Sequence, residues 1–393
     1  MNREIASVEV QEYIREHLNA DVHQIAMAKS PFAGVTGQEL SAQIAAMKKS
    51  SKKLPGWFAR SGVYYPPLLS IEQCSSEITA AYKAELSCGG SLIDLTGGFG
   101  VDSYYFSKVN QSVVHCEISE ELSAIAGYNA PLLGQDHTTF FSGDGMAFLK
   151  NSRQHFDTIY IDPARRSSAG KVFMLKDCTP DVVDHLDLLL NQTSRLMIKT
   201  APLLDISAGL KELRHVKAIH VVSVKNECKE LVWILEKDFS AAPEIVCTTL
   251  NGTRKEFSFL IGEEPPAHEM AIPAAGDYLY EPDVALLKGG AFNLIAERYQ
   301  LQKFHPQTQL YIGDVINESF PGRIFRIDAI VSAGALKKEK NLVGSVIVRN
   351  YPEKAAALVD KYHIKPDDTQ FMIFTQAADS GKIILKSTIL QHY

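Results

Sequence analysis

From Ser91 the chain reads Ser-Leu-Ile-Asp-Leu-Thr-Gly-Gly-Phe-Gly-Val101, a short apolar run that ends in a carboxylate and breaks into three glycines. A run of this length bounded by glycines predicts a parallel strand buried on both faces, then a tight turn and a helix start at Asp102. The same alternation recurs downstream. Apolar runs ending at Glu117, Asp144, Asp162 and Pro202 are separated by amphipathic stretches, the mark of a doubly wound parallel sheet. Two further runs, 218–224 and 230–235, flank a short polar turn and predict a hairpin that closes the sheet.

Outside this region the pattern changes. Residues 1–85 carry apolar positions at helical spacing, with Val10, Tyr13, Ile14 and Leu18 on one face. After Phe239, Pro-containing stretches bracket one more strand pair, and a small α+β region follows with a helix over 285–299 and a strand over 309–313. From Gly322 the order is strand, strand, helix, strand, strand. The expected organisation is a helical region over 1–85, a nucleoside-binding domain over 86–239, a connector with a small module over 240–321, and a last domain over 322–393.

Composition narrows the class. With 393 residues, 46% of them hydrophobic, the chain can bury a large core. A net charge of −6 gives no global polyanion-binding signature, so nucleic-acid contact must rest on local patches. The six cysteines are scattered without C-x-x-C or zinc-finger spacing, which predicts reduced thiols and no metal centre. The start lacks an apolar signal region and no apolar stretch reaches spanning length, so the expectation is a cytoplasmic protein with no membrane partner.

The chemistry gathers at strand ends. Asp94-x-Thr96-x-Gly98-x-Gly100 does not make the G-x-G-x-x-G of a pyrophosphate site, and a carboxylate ahead of the turn suits an ammonium and repels a phosphate. Glu117, roughly twenty residues past the glycines, is placed to accept from two ribose hydroxyls, in dehydrogenases and methyltransferases alike. Asp144 and Gly145 end the third strand, where Asp144 either meets a base or caps the next helix. After the fourth strand, Asp162-Pro163-Ala-Arg165-Arg166 offers a side-chain acceptor, a fixed backbone and two guanidinium groups. Lys199 and Trp233 read as structural. Upstream, Lys48-Lys49 and Lys52-Lys53 precede Trp57-Phe58, and Lys52, Lys53 and Trp57 fit either phosphate contact with base stacking or a solvated helix end.

Asp94-Leu-Thr-Gly-Gly-Phe-Gly-Val-Asp102, Tyr160-Ile-Asp-Pro-Ala-Arg-Arg166 and Arg349-Asn-Tyr-Pro352 together resemble a bacterial subfamily of class I S-adenosylmethionine-dependent methyltransferases with a ferredoxin-like module and a C-terminal THUMP-like domain. Leu54-Pro-Gly-Trp-Phe and Ser75-Ser-Glu-Ile-Thr match it too. The resemblance implies a Rossmann-like seven-stranded sheet and S-adenosylmethionine held by Asp94, Thr96, Gly98, Gly100, Asp102, Glu117, Asp144 and Gly145. Asp-Pro-Ala-Arg resembles the Asp-Pro-Pro-Tyr-type motif of amino-group methyltransferases, which implies Asp162, Pro163 and Arg165 at the reacting group, with Arg165 in place of the stacking ring. Arg166, Lys52, Lys53 and Trp57 would meet the substrate, and the THUMP-like region implies tRNA or rRNA. Two rivals stand beside this reading: an NAD-dependent oxidoreductase on a Rossmann sheet, and a non-catalytic RNA-binding protein with a vestigial cofactor pocket.

Overall fold

A computed structural model of the chain describes all residues except 165, 168–169, 172–173, 264 and 267–269, and gives only the backbone of 166–167 and 170–171. It divides into two units, Met1–Lys217 with Val232–Ser240, and Ala218–Leu231 with Ala241–Tyr393.

The first unit holds β1 (Ser91–Asp94), β2 (Ser112–Glu117), β3 (Thr138–Ser142), β4 (Phe156–Ile161), the two-residue ladder β5 (Arg166–Ser167) and β6 (Gly170–Lys171), and β7 (Thr193–Thr200). β7, β4, β1, β2 and β3 lie side by side in that order, all parallel. Leu92, Ile93, Ile159 and Ile161 are fully buried, as strands covered on both faces require. The order reverses between β1 and β4. Successive crossovers there leave in opposite directions and open a crevice at the carboxyl ends of the strands.

The helices Val8–Glu16, Gly37–Lys53, Pro55–Ala59 and Glu77–Glu85 confirm the helical reading of the N-terminal region. Thr36 and Glu39 form a capping box at the start of Gly37–Lys53. Ile14, Leu40, Ile44, Met47 and Trp57 share one core with Phe99, Val101, Ile125 and Leu133. The helical region over 1–85 lies within the first unit and shares its core.

Two later strands continue the chain: β8 (Val216–Val224) and β9 (Glu227–Leu235), whose second half belongs to the first unit, beside β7. Lys225 and Asn226 between them both have left-handed φ, 51° and 57°, the conformation of a tight hairpin turn.

In the second unit β10 (Glu244–Asn251) lies parallel to β8 and antiparallel to β11 (Thr253–Leu260). The strand pair expected in a connector therefore extends a sheet. A second sheet contains β12 (Tyr278–Pro282), β13 (Gln302–Lys303), β14 (Tyr311–Gly313), β15 (Gly322–Val331), β16 (Ser345–Val348), β17 (Gln370–Ala377) and β18 (Gly381–Gln391), in the order β13-β14-β12-β15-β18-β17-β16. β12 pairs with β15 from Tyr278↔Arg326 to Pro282↔Gly322, so the expected boundary between 321 and 322 runs through a continuous sheet. The helix expected over 285–299 is two helices, Val284–Gly289 and Phe292–Tyr299, because Gly290 takes a left-handed φ of 87° and ends the first. Glu281, buried on β12, is held by Arg323 and Arg349.

Candidate functional site

The turn after β1 is pinned on one side and open on the other. Leu95 N–H donates to Tyr160 O at 3.0 Å and Gly97 N–H to Cys116 O at 2.8 Å, which tie the turn to β4 and β2. A Cβ on Gly97 would lie 2.1 Å from the buried His115 ring, so only glycine lets the backbone descend there. Gly98 and Gly100 have φ of 57° and 95°, and a Cβ on Gly98 would meet nothing within 4 Å. Gly98 N–H donates to Glu117 Oε2 at 2.8 Å and Ser119 N–H to Oε1 at 2.8 Å. Both oxygens of Glu117 are thereby aimed, each with a lone pair to spare for a ligand hydroxyl.

Asp94 lies beneath the turn, fully buried. Its Oδ1 accepts from Thr96 N–H at 3.0 Å, its Oδ2 pairs with Ser103 Oγ at 2.7 Å, and Ser103 Oγ in turn lies 3.0 Å from His115 Nδ1. Burial pushes the Asp94 carboxyl up to about 8 and the His115 imidazole down to about 4. Between those values both groups are neutral. An ammonium placed beside Asp94 would draw off its proton and turn it into a counter-ion.

Asp102, in the first turn of helix Val101–Ser107, is held from three sides. Ser75 Oγ donates to its Oδ2 at 2.8 Å, Tyr160 Oη donates to the same atom at 3.0 Å, and the fully buried Lys83 ammonium lies 3.2 Å from Oδ1. Asp144 caps the helix Gly145–Asn151, accepting from Met146 N–H at 2.8 Å and Ala147 N–H at 3.3 Å. Gly145 is required by packing: a Cβ there would lie 2.5 Å from Leu95 O.

At the end of β4, Asp162 N–H donates to Thr96 Oγ1 at 2.7 Å, so the turn and the Asp-Pro corner are fastened together. Asp162 Oδ2 accepts from Lys199 Nζ at 2.6 Å, while no described residue bonds Oδ1. Ala164 and Thr179 exchange backbone hydrogen bonds at 2.7 and 3.0 Å and hold the start of the following segment. Arg165 and the side chain of Arg166 lie outside the described residues.

The structure thus brings Asp94, Thr96, Gly98, Gly100, Asp102, Glu117, Asp144, Gly145, Asp162 and Pro163 to or beside the carboxyl edge of β1–β4. It does not bring Trp57 there as a free aromatic face. Trp57 is 1% exposed and meets the rings of Phe99 and Tyr104 edge-on, because Pro55 and Glu77 fold its short helix back onto the core. Lys53 Nζ donates to Ile71 O and Glu72 O near the end of helix Leu68–Gln73, and Lys52 is exposed. The cation–aromatic cluster in the sequence is chiefly a helix junction. Sequence reasoning missed Ser75, Lys83, Ser103 and His115, and it read Lys199 as structural. A charged residue among apolar ones, as in Leu196-Met-Ile-Lys199, was the available signal. Among the described residues no group of three or more His, Cys, Asp or Glu could hold a metal ion, and no helix is long and apolar enough to cross a membrane.

A family model for a ferredoxin-like domain matches residues 278–321. A crystal structure of a proposed methyltransferase from Porphyromonas gingivalis W83 is similar over 100% of both chains, with 28% identity and a TM-score of 0.88. Two proteins from Mycobacterium tuberculosis strains CDC 1551 and H37Rv, described as uncharacterised S-adenosylmethionine-dependent methyltransferases, are 23% identical over 259 residues, 64% of this chain and 67% of theirs. The resemblance to methyltransferases carrying a ferredoxin-like module is borne out, and so is the α/β fold.

Proposed function

We propose that the chain is an S-adenosylmethionine-dependent methyltransferase that modifies an exocyclic amino nitrogen of a base in structured RNA, tRNA or rRNA, in the cytoplasm. The observation that carries the reading is the row of acids, Asp94, Glu117, Asp144 and Asp162, at or just past the ends of β1, β2, β3 and β4, around a glycine turn with open space at Gly98. Asp94 would face the cofactor's ammonium, Glu117 its ribose hydroxyls, and the region of Asp144 its base, where Ile118, exposed directly after Glu117, adds an apolar surface. Asp102 would steady the turn through its hold on Ser75 and Tyr160.

S-adenosylmethionine supplies an electrophilic methyl group on a sulfonium. What the protein must add is mostly placement. Thr96 Oγ1 fastens the Asp162 backbone to the cofactor turn, and Pro163 fixes its own φ and restricts the backbone of Asp162 before it. An acceptor held there takes an N–H of an aromatic amine and turns its nitrogen toward the methyl. A base in a duplex is out of reach, so the target is unpaired or flipped out. For RNA the support is the THUMP-like resemblance of the C-terminal region and the exposed Lys337, Lys338 and Lys340 after helix Ala333–Leu336. Six free cysteines agree with a reducing compartment.

The test is incubation with radiolabelled S-adenosylmethionine and RNA from cells lacking the gene. Label should enter RNA with the wild type and be lost with Asp162→Ala, and mass analysis of nucleosides identifies the methylated base. Absence of label with both proteins overturns the reading. A thermal-shift series with S-adenosylhomocysteine and NAD separates it from the oxidoreductase, because only the cofactor bound by the native state raises Tm.

A further inference from the structure

We propose that Lys199 is a positioning residue of the methyl-transfer step, acting through Asp162; this rests on the amino-methyltransferase reading. Lys199 lies near the end of β7, beside β4. Its side chain is 15% exposed and that of Asp162 is 32% exposed, so both stand at the rim of the crevice. The 2.6 Å bond from Nζ ends on Oδ2. An exposed ion pair contributes little to stability. This one is largely covered, it is short, and it is made to the carboxylate that stands where substrate must come.

A carboxylate with two open oxygens accepts from many directions and can rotate about its last bond. Lys199 commits Oδ2, while Thr96 Oγ1 holds the Asp162 N–H from the other side at 2.7 Å. With Oδ2 tied down, Oδ1, which no described residue bonds, is presented in one orientation. A target amine donating one N–H to Oδ1 has its lone pair directed by that bond. The amine nitrogen then takes the methyl carbon, the carbon–sulfur bond breaks with its electron pair left on sulfur, and the surplus proton on nitrogen passes to water. Lys199 exchanges no atom in this step. Its contribution is orientation, for which small misplacements weigh heavily.

The test compares Lys199→Met, Lys199→Arg, Asp162→Asn and the double variant Lys199→Met with Asp162→Asn. Lys199→Met should lower the single-turnover transfer rate at saturating RNA by about tenfold or more, and Lys199→Arg, which can still donate to Oδ2, should recover most of that loss. Calorimetric binding of S-adenosylhomocysteine should stay within about threefold of wild type, because the cofactor turn keeps its own bonds. In the double variant the rate should fall no further than with Asp162→Asn alone, and the Tm losses of the two single variants should be non-additive. Wild-type transfer by Lys199→Met, a parallel loss of S-adenosylhomocysteine binding, or additive losses in the double variant would each overturn the proposal. A wild type that binds S-adenosylhomocysteine yet labels no RNA brings down the functional reading first, and the inference with it.

Discussion

Replacing Asp94 by Asn tests the buried neutral network under the glycine turn after β1. Burial, reinforced by the nearby Asp102 and Asp162 carboxylates and opposed by the Ser103 hydrogen bond, pushes Asp94 from 3.8 up to about 8, and burial pushes His115 from 6.5 down to about 4. From pH 4 to 6.5 the fold keeps a proton on Asp94 that the unfolded chain has released, and lacks one on His115 that the unfolded chain has taken up. Their opposite slopes cancel there. From 6.5 to 8 only the Asp94 proton differs, so stability falls as pH rises, by about 1.4 kcal/mol per unit and ~2 kcal/mol in all, then levels off.

Asn is neutral at every pH and nearly isosteric. Relative to wild type, the Asp94→Asn variant should therefore gain about 4 kcal/mol between about pH 5 and about pH 8, and nothing more above that. Urea unfolding of the two full-length proteins across that range measures the difference curve. Parallel curves would refute the reasoning, since they would mean Asp94 ionises in the fold as it does in the unfolded chain. The same protonation state makes a prediction for binding. If an ammonium ionises Asp94, S-adenosylhomocysteine binding at about pH 7 should release up to about 0.9 proton, read from calorimetry in buffers of different ionisation enthalpy, and Asp94→Asn should abolish that release.

Trp57→Ala should destabilise the chain by about 3–5 kcal/mol in denaturant melts, as for a large core aromatic, while leaving the RNA affinity of the folded protein unchanged; weakened RNA binding without lost stability would restore the stacking role. Glu117→Ala removes a charged acceptor from the Gly98 and Ser119 N–H groups and, on the proposed reading, from the ribose hydroxyls, and should weaken S-adenosylhomocysteine binding by about 2 kcal/mol, roughly thirtyfold in Kd by calorimetry. Glu281→Ala leaves Arg323, which is 13% exposed, without its carboxylate, and a loss of about 3–5 kcal/mol should appear in melts with cofactor binding unaltered. Gly145→Ala drives a Cβ to 2.5 Å from Leu95 O and should cost about 1–3 kcal/mol, detected as a lowered Tm.

The local patterns carried much of the fold. β1, its glycine turn and the helix at Val101 were legible because an apolar run, a carboxylate and residues able to take positive φ follow one another within a few positions. Even so, local signals did not give the pairing of strands. The break expected after Phe320-Pro321 coincides with a real turn, but β12 and β15 on either side of it hydrogen-bond to each other. Turn chemistry says where a strand stops. It does not say which strand it pairs with.

By itself the sequence determined the alternation of strand and helix, the acids that close β1, β2 and β4, and the glycines that let the backbone turn between them, since each depends on a few adjacent residues and their φ, ψ preferences. Only the tertiary structure decided what those side chains do there. Lys199 reaches Asp162 across thirty-seven positions of chain, Tyr160 reaches Asp102 across fifty-eight, and Trp57 meets Phe99 in a shared core. Strand order and helix packing create these contacts. They convert a lysine that reads as structural into the partner of the Asp162 carboxylate, and a tryptophan that offered a stacking platform into core. The physical reason is that hydrophobic burial selects faces and not partners. Which charges meet at the crevice is fixed when the sheet assembles and the switch between β1 and β4 brings four strand ends together.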